Sequence, residues 1–171
     1  SYAMQKLVEK KEGKGIYYWD LVHENVLKPI KAESFVLQHT EEPDGTKGIP
    51  IIGWGAYPTV DETAKIATLL LNEGRYENQQ LLNKRKVQEA LFLTDWEGYD
   101  SYENRRYNHS FWSRNISVDG CAKRVSYMVG HGGNYVMFLP DNAILIWYID
   151  KMDYAIDPVV RAVGKTIEWC D

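Results

Sequence analysis

Helical periodicity early in the chain, three apolar runs late in it and one amphipathic segment at its end predict an α+β fold, an antiparallel sheet flanked by helices. The sheet is read from residues 124–150, where stretches 125–129, 135–139 and 143–149 are rich in β-branched and aromatic side chains. A glycine cluster and Pro140-Asp141-Asn142 separate these stretches, which is the punctuation of a meander. With 171 residues, 44% of them hydrophobic, the chain is expected to form a single domain over residues 1–171 with a substantial core.

The first helix is expected where Ala3, Met4, Leu7 and Val8 recur at helical spacing, closed by Lys10, Lys11, Glu12 and Gly13. Tyr18, Leu21, Val22 and Val26 share one face of a second helix, which ends by Lys28 because Pro29 disfavours helical geometry before it. Residues 34–38 form a brief apolar run, and 41–48 (Glu-Glu-Pro-Asp-Gly-Thr-Lys-Gly) read as an exposed loop. Thr59 and Glu62 form a capping box for a helix with Ala64, Ala67, Thr68 and Leu71 on one face, ended by Asn72-Glu73-Gly74. Residues 75–80 are turn-like, and Asn83 is a good N-cap for a helix bearing Val87, Ala90 and Leu91. Residues 95–108 are polar, tyrosine-rich and without period, so a long surface loop is expected there. Residues 109–116, with Phe111 and Trp112, predict a strand that leads through Asp119-Gly120 into the meander. Asp157 as N-cap before Pro158, with Val159, Val163 and Ile167 on one face, predicts a closing helix.

A net charge of −4 and a pI near 5.6, with no dense block of Lys or Arg, argue against a nucleic-acid partner. No run approaches the roughly 18 apolar residues of a membrane span. Cys121 and Cys170 fit no metal spacing and leave a disulfide open. His23, His39, His109 and His131 form no His-x-x-x-His pair, and no metal or other cofactor is expected. The chain contains neither Ser-x-x-Lys nor Gly-x-Ser-x-Gly. Trp54, Trp96, Tyr99, Tyr102, Tyr107 and Trp112 are candidates to line a ligand cleft, or to pack at the core and rim.

The link Gly130-His131-Gly132-Gly133-Asn134 is too glycine-rich for ordinary strand. Such density implies positive φ, a bulge or a close approach to the backbone, for which a ligand is one candidate. A dinucleotide fingerprint is rejected because strand sequence, rather than helix, follows. His131 between glycines is either a structural histidine or a functional one.

Two passages together resemble the serine β-lactamase and penicillin-binding-protein superfamily, in particular its class C-like esterase and peptidase branch. Residues 53–76, from Gly53-Trp54-Gly55-Ala56 through Thr59-Val60-Asp61-Glu62-Thr63-Ala64 to Asn72-Glu73-Gly74-Arg75-Tyr76, are similar to that branch's glycine-rich turn, capped helix and Asn-x-Gly-x-aromatic segment. Residues 130–141, Gly130-His131-Gly132-Gly133-Asn134-Tyr135 through Pro140-Asp141, are similar to its Gly-x-Gly-Gly-Gln-aromatic pair of strands, with Asn134 replacing glutamine. Leu27-Lys28-Pro29-Ile30 resembles the approach to the family's Pro-Leu-Gly-Met, whose Leu-Gly-Met is missing.

The resemblance implies a partial β-lactamase/transpeptidase-like fold, the C-terminal half of a larger domain that begins upstream of Ser1. It implies a serine hydrolase acting on an amide, ester or β-lactam carbonyl of a small-molecule or peptide substrate, in a periplasmic or extracellular setting. The serine and lysine of Ser-x-x-Lys would come from the upstream part of the same protein, leaving this chain inactive alone. Tyr2 is a weak match to the family's catalytic tyrosine. In one register the Lys-Thr-Gly positions fall on Val125, Ser126 and Tyr127, and the N–H of Met128 would be an oxyanion donor. In the other register His131-Gly132-Gly133 takes that role, and Gly130 and Asn134 belong to the same wall. The alternative implied function is a non-catalytic binding or sensor domain on the same scaffold.

Overall fold

A computed structural model describes every residue except Ser1, Trp54, Tyr102 and Asp171. The chain divides into two compact units, residues 1–66 and 67–171.

In the first unit, α1 (Tyr2–Glu12) ends at Gly13, whose N–H meets the Glu9 carbonyl at 3.1 Å. Its one buried side chain is Gln5, whose Nε2 donates to the Ile16 carbonyl (2.9 Å) while its Oε1 accepts from the Tyr18 N–H (3.1 Å). That amide ties α1 to the start of α2 (Tyr18–Val22). From α2 the chain runs into a π-helical turn, His23–Leu27, closed by Lys28 N–H on the His23 carbonyl, and stops before Pro29 as the sequence predicts. Strands β1 (Val36–Leu37) and β2 (His39–Glu41) follow, then β3 (Lys47–Pro50) and β4 (Ala56–Tyr57). β1 pairs with β4 and β2 with β3. The turn chemistry expected as loop therefore closes a hairpin: Asp44 accepts from the Thr46 N–H, and strand pairing takes up both ends of the segment.

The division between the units falls within α3 (Val60–Leu71). Its capping box is formed: Thr59 N–H donates to Glu62 Oε2 (2.9 Å) and Glu62 N–H to Thr59 Oγ1 (3.2 Å). Burial of Glu62 works against its charge, but hydrogen bonds from Ser34 and Thr59 outweigh it and hold the carboxyl below its usual range.

In the second unit, β5 (Arg75–Tyr76) and β6 (Gln79–Gln80) form a small hairpin ahead of α4 (Lys84–Ala90), which Asn83 caps by accepting the Lys86 N–H. A six-stranded antiparallel sheet follows, in the order β12-β11-β10-β9-β8-β7. Its strands are β7 (Tyr99–Asp100), β8 (Arg106–Asn108), β9 (Phe111–Val118), β10 (Cys121–Gly130), β11 (Asn134–Phe138) and β12 (Ile144–Trp147). The three apolar runs thus form the antiparallel meander they predict. The expected long loop at 95–108 instead contributes β8 and the edge strand β7, whose polar and aromatic residues lack the alternation that marks a half-buried strand.

Both faces of the sheet are buried along β11 and the middle of β10, which is why these stretches read as nearly continuous apolar runs. Tyr135 and Met137 point with Val125 and Tyr127 into a cluster that includes Ile156, Val160 and Trp169. The alternate residues Val136 and Phe138 enter a second cluster with Ala67, Val87 and Leu91. Helix α5 (Asp157–Gly164) covers the first face, while α4 and the last turn of α3 cover the other. Each fully buried aliphatic side chain here, such as Met137 or Val160, contributes about 1.5–3 kcal/mol. Asp157 lies inside the first turn of α5, with Ile156 at the N-cap, because its carboxylate is drawn to Arg114 on β9. Cys121 and Cys170 are joined in a disulfide, and the intervening Trp169 is buried with its indole N–H on the Cys121 carbonyl at 3.1 Å. No helix of the described residues is long and apolar enough to cross a membrane.

Glu89 on α4 gathers Lys86 (2.6 Å), His109 (3.2 Å) and Arg85 (3.1 Å), and these donors, Lys86 first, hold its carboxyl down at about 2. A carboxylate whose folded pKa lies below its unfolded value of 4.5 stabilises the fold above that value and loses the contribution as pH falls towards 2. Urea unfolding of the native chain and of Glu89→Gln checks this. The native chain is expected to be the more stable at neutral pH, with the gap closing between pH 4.5 and 2. A gap independent of pH would contradict the assignment.

Candidate functional site

The glycine-rich link closes the β10–β11 hairpin. Gly130 pairs with Asn134, leaving a three-residue loop, His131-Gly132-Gly133, in which Gly132 and Gly133 have φ of +84° and +85°. Those angles explain the two glycines, since an L side chain there would be strained. The close approach expected of so much glycine is also present, and the approaching group is the chain itself. A Cβ on Gly132 would strike Asp150, and one on Gly133 would meet the main chain of Asp153, with the carbonyl carbon at 2.8 Å.

Hydrogen bonds lock the same contact. The Gly132 carbonyl accepts from the N–H groups of Lys151 and Met152, both at 3.0 Å. Asn134 spans the junction: its Nδ2 donates to the His131 carbonyl (2.9 Å), while its Oδ1 accepts from Ile149 N–H (3.1 Å) and Asp150 N–H (3.3 Å). Residues 150–153 are thus a brace behind the turn. Sequence reasoning missed them, and nothing in their composition announces the role; the end of the apolar run at Ile149 is the only local signal.

The imidazole of His131 is exposed, and among the described residues nothing hydrogen-bonds to its ring. Just before the turn the sheet is one-sided. The β10–β9 ladder ends at Tyr127↔Trp112, so Met128, Val129 and Gly130 pair with β11 alone. Among the described residues no strand pairs with the edge they turn toward β9, and it can offer main-chain donors and acceptors to an extended ligand.

The three positions of the first register lie deeper in β10. Val125 and Tyr127 are 0% and 2% exposed and belong to the core beneath α5, and Ser126 Oγ donates to the Leu91 carbonyl at 2.5 Å on the opposite face. Their side chains are committed to packing. The structure therefore brings Met128, Gly130, His131, Gly132, Gly133 and Asn134 together at one end of the β10–β11 pair, with Val125, Ser126 and Tyr127 in its interior. Tyr2 is in the first unit, largely exposed on α1 with the Lys6 ammonium over its ring.

Of the aromatic candidates, Trp54 and Tyr102 lie outside the described residues. Tyr99, Tyr107 and Trp112 are cross-strand partners on one face, with Tyr107 and Trp112 in ring contact at 4.8 Å and Tyr99 meeting Trp96 edge-on at 5.3 Å. They extend the core row of Tyr127 and Met137 outward to the β7 edge. No group of three or more His, Cys, Asp or Glu side chains among the described residues is placed to hold a metal ion.

No protein-family model and no curated protein matches this chain.

Proposed function

We propose that this chain is part of a serine hydrolase of the β-lactamase and penicillin-binding-protein superfamily, acting on an amide, ester or β-lactam carbonyl. One observation carries the reading. A glycine turn that exposes His131 sits at the end of β10 where Met128, Val129 and Gly130 have lost their neighbour on the β9 side. An open strand edge beside an exposed proton donor is the arrangement a carbonyl substrate needs from a wall that contributes no nucleophile. Burial of Val125 and Tyr127 and the engagement of Ser126 favour the register that begins at His131, in which the exposed imidazole faces the substrate while the buried Gly132 and Gly133, covered by residues 150–153, shape the turn that carries it. In this reading Met128 and Gly130 present main chain, Asn134 holds the turn, and the attacking hydroxyl of Ser-x-x-Lys comes from polypeptide outside these 171 residues, where the catalytic tyrosine that Tyr2 matches only weakly is also sought. A disulfide between Cys121 and Cys170 agrees with the oxidising periplasmic or extracellular setting that the resemblance implies.

The test compares the 171 residues with the same polypeptide extended at its N-terminus by the residues its gene encodes, using a chromogenic ester, a β-lactam and fluorophosphonate labelling. The short chain is expected to turn over neither substrate. The extended chain is expected to be labelled on a serine and to lose about 10²-fold in kcat/KM on His131→Ala. An extended chain with no labelled serine would instead select a non-catalytic binding or sensor domain, a reading favoured by the absence of lysine from both registers.

A further inference from the structure

At the opposite end of β10, a strand of roughly 30 Å away from the glycine turn, the second unit carries a cavity of about 390 Å³. It is lined by Ser117, Val118, Asp119, Arg161 and Lys165, and its volume falls within the roughly 300–1,000 Å³ of small-molecule sites. The β9–β10 connection is a tight turn with positive φ at Asp119 (+48°) and Gly120 (+88°). Helix α5 comes down close beside it because Gly164 has no side chain: a Cβ there would lie 2.8 Å from both Val118 and the Trp169 ring. Arg161, three residues before that contact, and Lys165, the C-cap immediately after it, stand four residues apart and line the cavity. The disulfide and the buried Trp169 fix the main chain of the same corner.

Its charges are unbalanced. Two cations at i and i+4 repel, and one carboxylate answers them: Asp119 reaches Lys165 at 3.6 Å, with both side chains largely in solvent. Among the described residues Arg161 has no carboxylate within ion-pair reach, although the chain as a whole carries a net charge of −4. Arg161 therefore brings a guanidinium without a carboxylate partner to the lining of the cavity, with the Lys165 ammonium about one turn away and the exposed Ser117 as a third donor. A guanidinium and an ammonium sharing one site are the donor set that recognises an oxyanion. From this geometry we infer a binding site for a small organic oxyanion, carboxylate or phosphoryl, held by Arg161, Lys165 and Ser117, with Asp119 competing for Lys165 while the site is empty. The inference is independent of the hydrolase reading.

Titration of the ¹⁵N-labelled chain with inorganic phosphate and, separately, with acetate, at ionic strength held constant with sodium chloride, tests it. Saturable shifts confined to the resonances of Ser117, Asp119, Arg161 and Lys165 are expected with at least one of the two anions, and which one saturates identifies the oxyanion class. The double variant Arg161→Gln, Lys165→Gln should weaken binding at least tenfold, while Asp119→Asn, which frees Lys165, should tighten it by about threefold. Both variants alter exposed side chains, so unchanged spectra away from the cavity will show that the fold is kept. Shifts that rise linearly with both anions, or that persist in the double variant, would overturn the site.

Discussion

Replacing both Cys121 and Cys170 by alanine is expected to cost the second unit about 4 kcal/mol. The bond closes a loop across a sequence separation of 49 residues, and the chain-entropy cost of leaving a loop of that size open in the unfolded ensemble is about 4 kcal/mol at room temperature. Against a total stability of about 5–15 kcal/mol for a domain, this is a large share. The loss falls mainly on the unfolded chain. In the folded state Trp169 still packs beneath α5 and still donates to the Cys121 carbonyl, so the C-terminal segment keeps its seat without the covalent link. Urea unfolding monitored by tryptophan fluorescence should show the midpoint falling by the same amount in the double variant and in the native chain under dithiothreitol. Near-native amide spectra before the transition are expected in both. A midpoint insensitive to reductant would mean that the two sulfurs are not bonded in the folded protein.

That pairing was the kind of feature the sequence could pose but not resolve: two cysteines at that separation are compatible with a disulfide and do not require one. The elements that sequence reasoning located well are those whose signals are local. The Thr59/Glu62 capping box, the Asn83 cap and the three apolar runs of the meander each depend on residues within a few positions of one another, and each is formed. The elements it missed depend on distant partners. β8 is a strand because β9 offers it an edge, and β7 because β8 does in turn, not because Tyr99-Asp100 or Arg106-Tyr107-Asn108 have a strand pattern of their own. At the candidate site, the glycines of the 130–134 link correctly signalled positive φ and a close neighbour. The identity of that neighbour, Asp150 with its side chain and the main chain of Asp153, follows only once β12 has carried the chain back alongside β11. The count that aligned Val125, Ser126 and Tyr127 with a catalytic motif could not see that these residues face two packed cores.

Gly133→Ala is the other substitution with a large expected effect, and Gly130→Ala is its internal control. At Gly133 the methyl group meets main chain rather than a flexible side-chain end, so the 150–153 segment must move away. The substitution adds about 1 kcal/mol of left-handed strain. It also puts at risk the two hydrogen bonds that Lys151 and Met152 donate to the adjoining Gly132 carbonyl, each worth about 1 kcal/mol. A total loss of about 3 kcal/mol follows if the brace is displaced. Gly130, by contrast, has an ordinary strand φ, and the nearest atom to a Cβ there is the Asn134 carbonyl oxygen at 3.9 Å, so alanine should change stability by less than about 0.5 kcal/mol. Equilibrium unfolding of the two variants reads the difference. Hydrogen exchange at Lys151 and Met152 reads its cause: both amides should lose protection in Gly133→Ala and keep it in Gly130→Ala. The brace is also what orients His131, since the turn's other anchor, Asn134, reaches the N–H groups of Ile149 and Asp150 that lead into it. Equal stability in the two variants would show that the turn stands without residues 150–153, and the geometry assigned to His131 would lose its support.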